Sequence, residues 1–368
     1  AWRFYYRLIF AANTVIDGLG GSNAIPGTAS GRWYMGQAKA MRAFSYFYLA
    51  QYYQNEYVPT EKILPLYTNT TDPNLPKSTA ADVYALMIKD LTDAQSLLSD
   101  FTRASKAEVN TQVAKGMLAY VHGAMGNNAA MKTVTADVIS TGGFKIMTAA
   151  EATGGFNALA TSQWMWGVDI TTDSKLNLIS WWGQMDLYTY SYQWAGDRKS
   201  IDRALWDAIP TTDVRKGQFT SASGYRPVNK FYDPGRVPGG QRVITTDYIY
   251  MRVDEMYLLN AETAAKTGRE VEAQNRLIEL LSNRLTSTAY VSSLTGQALK
   301  DEIYKQTRIE LWGEGKSYLA MKRNQATINR GSNHLFQSGV AVPYNDPRLM
   351  FSIPQAEILY NSNISTQN

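Results

Sequence analysis

The sequence predicts a mainly α-helical protein, with helices at both ends and an irregular, loop-rich middle segment containing short strands. Three observations predict it. Apolar residues recur at three- and four-residue steps across residues 1–143 and again across 247–368. Between them, at 144–246, that period disappears, and Gly, Thr and aromatic residues take over. Caps and breakers fall where helices of ordinary length would begin and end.

The first helix carries Trp2, Tyr5, Ile9, Ala12 and Ile16 on one face. Gly18 to Gly31 then breaks the pattern with glycines and a proline. A second helix places Met35, Ala38, Met41, Ser45, Leu49 and Tyr52 on one face. Pro59, Pro65, Pro73 and Pro76 punctuate a long loop, of a length at which loops tend to be functional. A third helix opens at Ser78 or Thr79, with Asp82 in the first turn, where a carboxylate offsets unsatisfied N–H groups. A fourth spans Thr111 to Met125, and a fifth spans Asn128 to Ser140 and stops on Gly142-Gly143. Helices paired in this way suggest a scaffold of tetratricopeptide-like hairpins, with repeats too degenerate for the sequence alone to establish.

In the middle, Gln163 to Ile170 reads as a strand, Arg242 to Ile249 as a candidate second, and Ser200 to Ile209 as a short helix. Helices resume at Asp247 to Lys266, Glu270 to Asn283, Thr295 to Gly313 and Lys316 to Arg323, and the tail from Phe351 to Asn368 reads as polar and irregular. The expected organisation is an N-terminal helical part (1–143), an aromatic middle (144–246) and a C-terminal helical part (247–368), forming one cooperative domain. Ala1 falls inside a helix, so the expectation is that an N-terminal segment is missing from this sequence.

Composition narrows the function. Lys and Arg number 36 against 32 Asp and Glu, scattered without a run of five, so no nucleic-acid partner is expected. The absence of cysteine removes disulfides, thiolate metal sites and Cys nucleophiles together. His122 and His334 stand 334 − 122 = 212 residues apart, without HExxH spacing. One is expected in a packed helix and the other in a loop, with no metal and no cofactor. No run of about 18 apolar residues occurs, so no helix is expected to cross a membrane.

Several motifs then appear in order along the chain. Trp2, Ile9 and Asn13 open it, followed by Ala38-Lys39-Ala40-Met41-Arg42-Ala43 with Tyr46, Leu49, Tyr53 and Val58-Pro59, and by Val83-Tyr84, Asp90-Leu91, Ala94 and Leu97. Near the end stand Arg252-Val253-Asp254-Glu255-Met256-Tyr257-Leu258 with Ala261-Glu262, Arg308-Ile309-Glu310-Leu311-Trp312-Gly313-Glu314-Gly315, and Ile353-Pro354-Gln355-Ala356-Glu357-Ile358 with Asn361 and Gln367-Asn368. Together they resemble the SusD/RagB family. The resemblance implies a SusD-like fold and a non-catalytic surface lipoprotein of the outer membrane. Such a protein binds an oligosaccharide and delivers it to a TonB-dependent SusC-like transporter, anchored by a lipid upstream of Ala1. RagB-like members imply a peptide ligand as the alternative. Gln37, Gln306-Thr307, Ser317 and Ala320 depart from the family pattern.

The motif carboxylates read as scaffold. Glu255 and Glu262 share a helix face with Arg252 one turn away, and Glu310 and Glu314, like charges at i and i+4, call for cations from Arg308 or a neighbouring helix.

The ligand candidates come from clustering. Five of the nine tryptophans (Trp164, Trp166, Trp181, Trp182 and Trp194) fall in one short stretch, with Tyr188, Tyr190 and Tyr192 among them. Trp164 and Trp166 share one face of a strand and read as core. Trp181, Trp182, Tyr188, Tyr190, Tyr192 and Trp194 lie in a polar loop, where flat rings beside Gln, Asp and Ser suit stacking on sugars; a loop that plugs the space between helices fits the same residues. Trp33 and Asn23, in Gly18 to Tyr34, form a second candidate lip, and Asp72 to Asn74 a third. A glycoside hydrolase would need Asp186 and Asp197 as a pair about 5–9.5 Å apart, and no sequence feature demands one.

Overall fold

The computed structural model describes residues 1–240 and 242–368. The N-terminal part is built from α1 (Trp2–Gly18), α2 (Ala29–Tyr53), α3 (Ala80–Leu97), α4 (Thr111–Ala124) and α5 (Asn128–Thr141). Each begins or ends where its chemistry dictates. Thr79 caps α3 by accepting the Asp82 N–H at 3.2 Å, Asn110 caps α4 through Val113, and Gly143 takes φ +70° just after α5.

α2 packs between α1 and α3 and also touches α4, so it is buried nearly all round rather than along the single face read from sequence. That forces two cations inside. Arg42 grips Asp90 with two hydrogen bonds of 2.8 Å and reaches Asn13 at 2.9 Å, while Lys39 meets Asp93 and the Ser22 carbonyl. The Pro-rich stretch after α2, read as an open loop, contains the antiparallel pair β1 (Lys62–Pro65) and β2 (Lys77–Thr79). Ile63 and Leu64 are buried there, and that apolar anchor decides the outcome over the prolines.

The middle segment holds the short helices α6 (Ala149–Ala152), α7 (Trp181–Met185), α8 (Tyr192–Ala195) and α9 (Arg203–Asp207), with strands β3 (Trp164–Val168), β4 (Phe219–Thr220), β5 (Arg226–Pro227) and β6 (Tyr248–Arg252). β3 pairs antiparallel with β6, and Trp164 and Trp166 are buried as expected. The second strand therefore starts later than the sequence indicated, and residues 250–252, read only as helix, are strand because β3 supplies their partners. Gly116 on α4 makes this approach feasible, since a Cβ there would stand 2.3 Å from the Met251 sulfur.

The C-terminal part comprises α10 (Val253–Lys266), α11 (Glu270–Leu281), α12 (Gly296–Glu310), α13 (Ser317–Arg323), the hairpin of β7 (Ile328–Asn329) and β8 (Ala341–Val342), and α14 (Gln355–Tyr360). α10 packs on α5, α11 and α12. The tail is more ordered than expected. It carries α14, buries Ile353 and Ile364, and ends with the Asn368 amide donating to the Tyr53 carbonyl at 2.7 Å.

The motif carboxylates do hold helices together. Glu255 accepts from the Tyr120 hydroxyl at 2.6 Å, and Glu262 takes Arg323 and Lys266. Glu310 accepts from Arg215, Arg252 and Arg284, and Glu314 from Arg252 and Lys230. Arg308 is not the counter-ion: the partners come from the middle segment and from α11's end. With Asp213 on Arg215 and Asp254 on Arg284, four acids meet four cations, so the buried cluster is neutral. Gly313 and Gly315, at φ +78° and +74°, turn the chain so that Glu314 faces back into it.

Candidate functional site

The segment from Ser180 to Gly196 is less irregular than its sequence suggested. Ser180 caps α7 by accepting the Gly183 N–H at 3.1 Å, and Ser191 caps α8 by accepting the Trp194 N–H at 2.9 Å. These two turns sort the candidate rings into three groups.

Trp182 points inward. It is fully buried, its indole N–H donates to the Asp247 carbonyl at 3.3 Å, and Trp181 meets it edge-on at 4.9 Å. Trp182 has no surface for a ligand, so this part of the expectation is corrected: it is core. Trp181 is half-buried and forms a wall, with Phe156, Phe231, Tyr248 and Tyr250, of a cleft of about 350 Å³.

Tyr188, Tyr190, Tyr192 and Trp194 form an outer rim. Tyr192 and Trp194 are 41% and 43% exposed, whereas Trp182 is fully buried. Tyr190 and Trp194 lie 5.3 Å apart, with the Arg242 guanidinium 4.5 Å above Tyr190. Tyr188 meets Tyr232 at 6.2 Å, and Arg236 lies 3.7 Å over Tyr232. Gly239, at φ +65°, lets the second loop come close, because a Cβ there would stand 2.5 Å from the Trp194 ring. Tyr232, Arg236 and Arg242 were missed in the sequence, where they sit some forty residues downstream in a Gly- and Pro-rich stretch without a recognisable motif.

The rim's polar groups are uncommitted. Among the described residues, the hydroxyls of Tyr188, Tyr190 and Tyr192 and the Trp194 indole N–H make no hydrogen bond to the chain. Aromatic faces with free donors and acceptors at their edges are what a polyhydroxylated ligand requires.

Asp186 lies beneath the rim. Its carboxylate accepts the backbone N–H groups of Tyr188 at 2.8 Å and of Thr189 and Asp233 at 3.1 Å. Burial pushes this carboxyl up to about 6 despite those donors. A raised carboxyl beside aromatic rings is what a general acid would show. Here both oxygens are taken by backbone and the side chain is buried, whereas Asp197 is exposed and pairs with Lys199. The pair has the structural role of a turn clamp and a surface ion pair.

The second candidate lip is separate. Trp33 donates to Asp100 at 2.8 Å and packs on Phe101, and Asn23 is exposed. No hydrogen bond or ring contact joins this lip to the 181–194 segment among the described residues. The third, Asp72 and Asn74, lines a cavity of about 670 Å³ with Trp2, Tyr6, Phe10 and Tyr67. Its polar groups are largely spent within the chain: Tyr6 on the Pro65 carbonyl, Asn13 on that of Tyr67, Asn74 on that of Tyr360, and Asn69 on Asp72. Among the described residues no three His, Asp or Glu converge as a metal site would need, and no helix is long and apolar enough to cross a membrane.

Fold and rim together describe a helical-hairpin scaffold that presents an aromatic face on an irregular insert. Comparison with known proteins narrows this. A family model described as starch-binding and associating with the outer membrane matches residues 1–122, and the model of the SusD family matches 184–368, just over half of the chain. The chain belongs to the SusD family. A SusD-like carbohydrate-binding protein from Bacteroides vulgatus superposes with a TM-score of 0.84 at 25% identity, covering 99% of this chain and 83% of its own. SusD superfamily proteins from Bacteroides thetaiotaomicron (0.82, 23% identity, 100% and 84% covered) and Bacteroides fragilis (0.80, 22% identity, 99% and 83% covered) share the fold. No curated protein matched the sequence.

Proposed function

We propose that this chain captures an oligosaccharide at the cell surface without chemically altering it, and hands it to a SusC-like TonB-dependent transporter. The rim of Tyr188, Tyr190, Tyr192 and Trp194, flanked by Tyr232, Arg236 and Arg242, is the capture face. The observation that supports it is the clustering of rings with uncommitted hydroxyls beside two arginines, whereas the polar groups of the larger cavity on α1 are largely spent within the chain. Sugar C–H faces stack on such rings while hydroxyls take the free edges. The match of residues 1–122 to a family model described as starch-binding and associating with the outer membrane supports the ligand class and the location. Attachment through a lipid upstream of Ala1 belongs to the same reading.

The test is calorimetric titration of a glycan panel against the wild type and Trp194→Ala, with chain lengths of the glycans followed over time. The expected result is saturable binding, weakened at least about tenfold by the substitution, with no shortening of the glycan. Binding of extended peptides but no glycan would replace the ligand class. Reducing-end release abolished by Asp186→Asn would replace the mechanism.

A further inference from the structure

A second cleft, of about 400 Å³, lies between α9, α12, α13 and the β7–β8 hairpin. Its walls are fixed. Asp202, the N-cap of α9, accepts the Gly331 N–H at 2.9 Å and meets the His334 ring at 3.1 Å. Asn333 donates to the Ile201 carbonyl at 2.9 Å and accepts the Arg203 N–H at 3.1 Å. These contacts pin the hairpin to α9, and they commit Asp202, the single acid lining the cleft among the described residues, to its wall.

The remaining charge is cationic. Arg308 lines the cleft 5.8 Å from the Tyr304 ring and has no carboxylate partner among the described residues. Arg330 lines it too, with only the Phe336 carbonyl at 3.2 Å as a side-chain partner among the described residues. The arginines of the buried cluster contrast sharply, each satisfied by two or more acids. Trp312 and Tyr304 add aromatic surface, and neither the indole N–H nor the Tyr304 hydroxyl is hydrogen-bonded within the chain among the described residues. The lining thus offers two guanidinium groups, two ring donors and no free carboxylate.

We infer that this cleft binds an oxyanion-bearing sugar unit, a uronate or a sulfated residue. The ring would lie against Trp312 and Tyr304, with the anionic group on Arg308 and Arg330. A planar guanidinium matches a carboxylate or sulfate with paired N–H donors, and a neutral sugar leaves that charge without a partner. The inference takes the saccharide ligand class from the proposed function. The anionic character comes from this cleft alone, which the rim does not share.

The experiment titrates wild type, Arg308→Gln, Arg330→Gln and Trp194→Ala with oligogalacturonate, its fully methyl-esterified form, a sulfated oligosaccharide and a neutral oligosaccharide of equal length. The expected result is that one of the two anionic probes binds at least about tenfold more tightly than the neutral ones. Arg308→Gln should abolish that preference with an unchanged melt, and added salt should weaken the anionic probe alone. Comparison of uronate with sulfate identifies the anion. Binding of both the acid and the sulfated probe no tighter than that of the neutral probes, or an anionic preference that survives both arginine substitutions, overturns the inference. Neutral glycans that bind through Trp194 while both anionic probes fail sink this inference and leave the proposed function standing. Anionic binding lost on Arg308→Gln but untouched by Trp194→Ala upholds the cleft and removes the rim. No saccharide binding at all overturns both.

Discussion

Trp182 and Trp194 belong to one segment and one residue type, and the chain uses them in opposite ways. The inner half, from Trp181 to Asp186, packs against Phe231 and the backbone of Asp247. The outer half, from Tyr188 to Trp194, rests on a second loop and leaves Tyr192 and Trp194 open. Two serine caps eleven residues apart, Ser180 and Ser191, contribute to the difference, because each starts a turn that helps fix which rings face in. An aromatic cluster in a sequence is therefore not one object: Trp182 is core, while Tyr192 and Trp194 stand at the surface.

The widest separation between the halves should appear at Trp182. Trp182→Ala should lower stability by about 3–5 kcal/mol, read by denaturant unfolding, because it empties a buried site. Affinity of the molecules that remain folded should change little. A small loss of stability would mean that the inner ring is not core.

Next in size is the scaffold beneath both halves. Burial pushes the Glu262 carboxyl up, but Arg323 and Lys266 prevail and hold it at about 2. Glu262→Gln leaves those cations without a charge partner and should cost about 3 kcal/mol. The stability contributed by the charge is complete above the ordinary carboxylate range and is lost as pH falls toward about 2, so wild type and variant should converge on acidification. Ligand affinity should be unaffected, and a folded variant that cannot bind would contradict the assignment.

Asp186, at the joint between the halves, should behave in the opposite sense. From about pH 4 to about pH 6 the folded chain keeps its proton while the unfolded chain has released it, so stability falls as pH rises through that window. Melts of wild type and Asp186→Asn recorded across it should diverge by up to about 3 kcal/mol. A constant offset would show that the carboxyl is not raised.

The smallest stability effect belongs to Trp194→Ala, within about 0.5 kcal/mol, although its affinity loss should be at least about tenfold. Early unfolding with normal binding would erase the contrast between the two halves.

The sequence made the long helices legible because period, caps and breakers are local: Thr79, Asn110 and Gly143 act within a turn of themselves. It did not show what depends on distant partners. Residues 250–252 became a strand only because β3 lies beside them, and Ile63 and Leu64 became one through their pairing with residues 77–79. The counter-ion Arg215 is 95 residues from Glu310, beyond any spacing rule. For the site, the clustering of rings was visible. Their sorting into core and rim was not, nor were Tyr232, Arg236 and Arg242, because both depend on how two loops forty residues apart meet.

The position of Asp186 bears on the entropy of capture. One carboxylate holds the backbone of Tyr188, Thr189 and Asp233, and thereby ties both loops that carry the rim to a single point. Neither loop can wander alone, so the spacing of the rings is set when the chain folds rather than when a ligand arrives. A ligand that meets a rim ordered in advance loses less freedom on docking, and more of its contact energy remains as affinity.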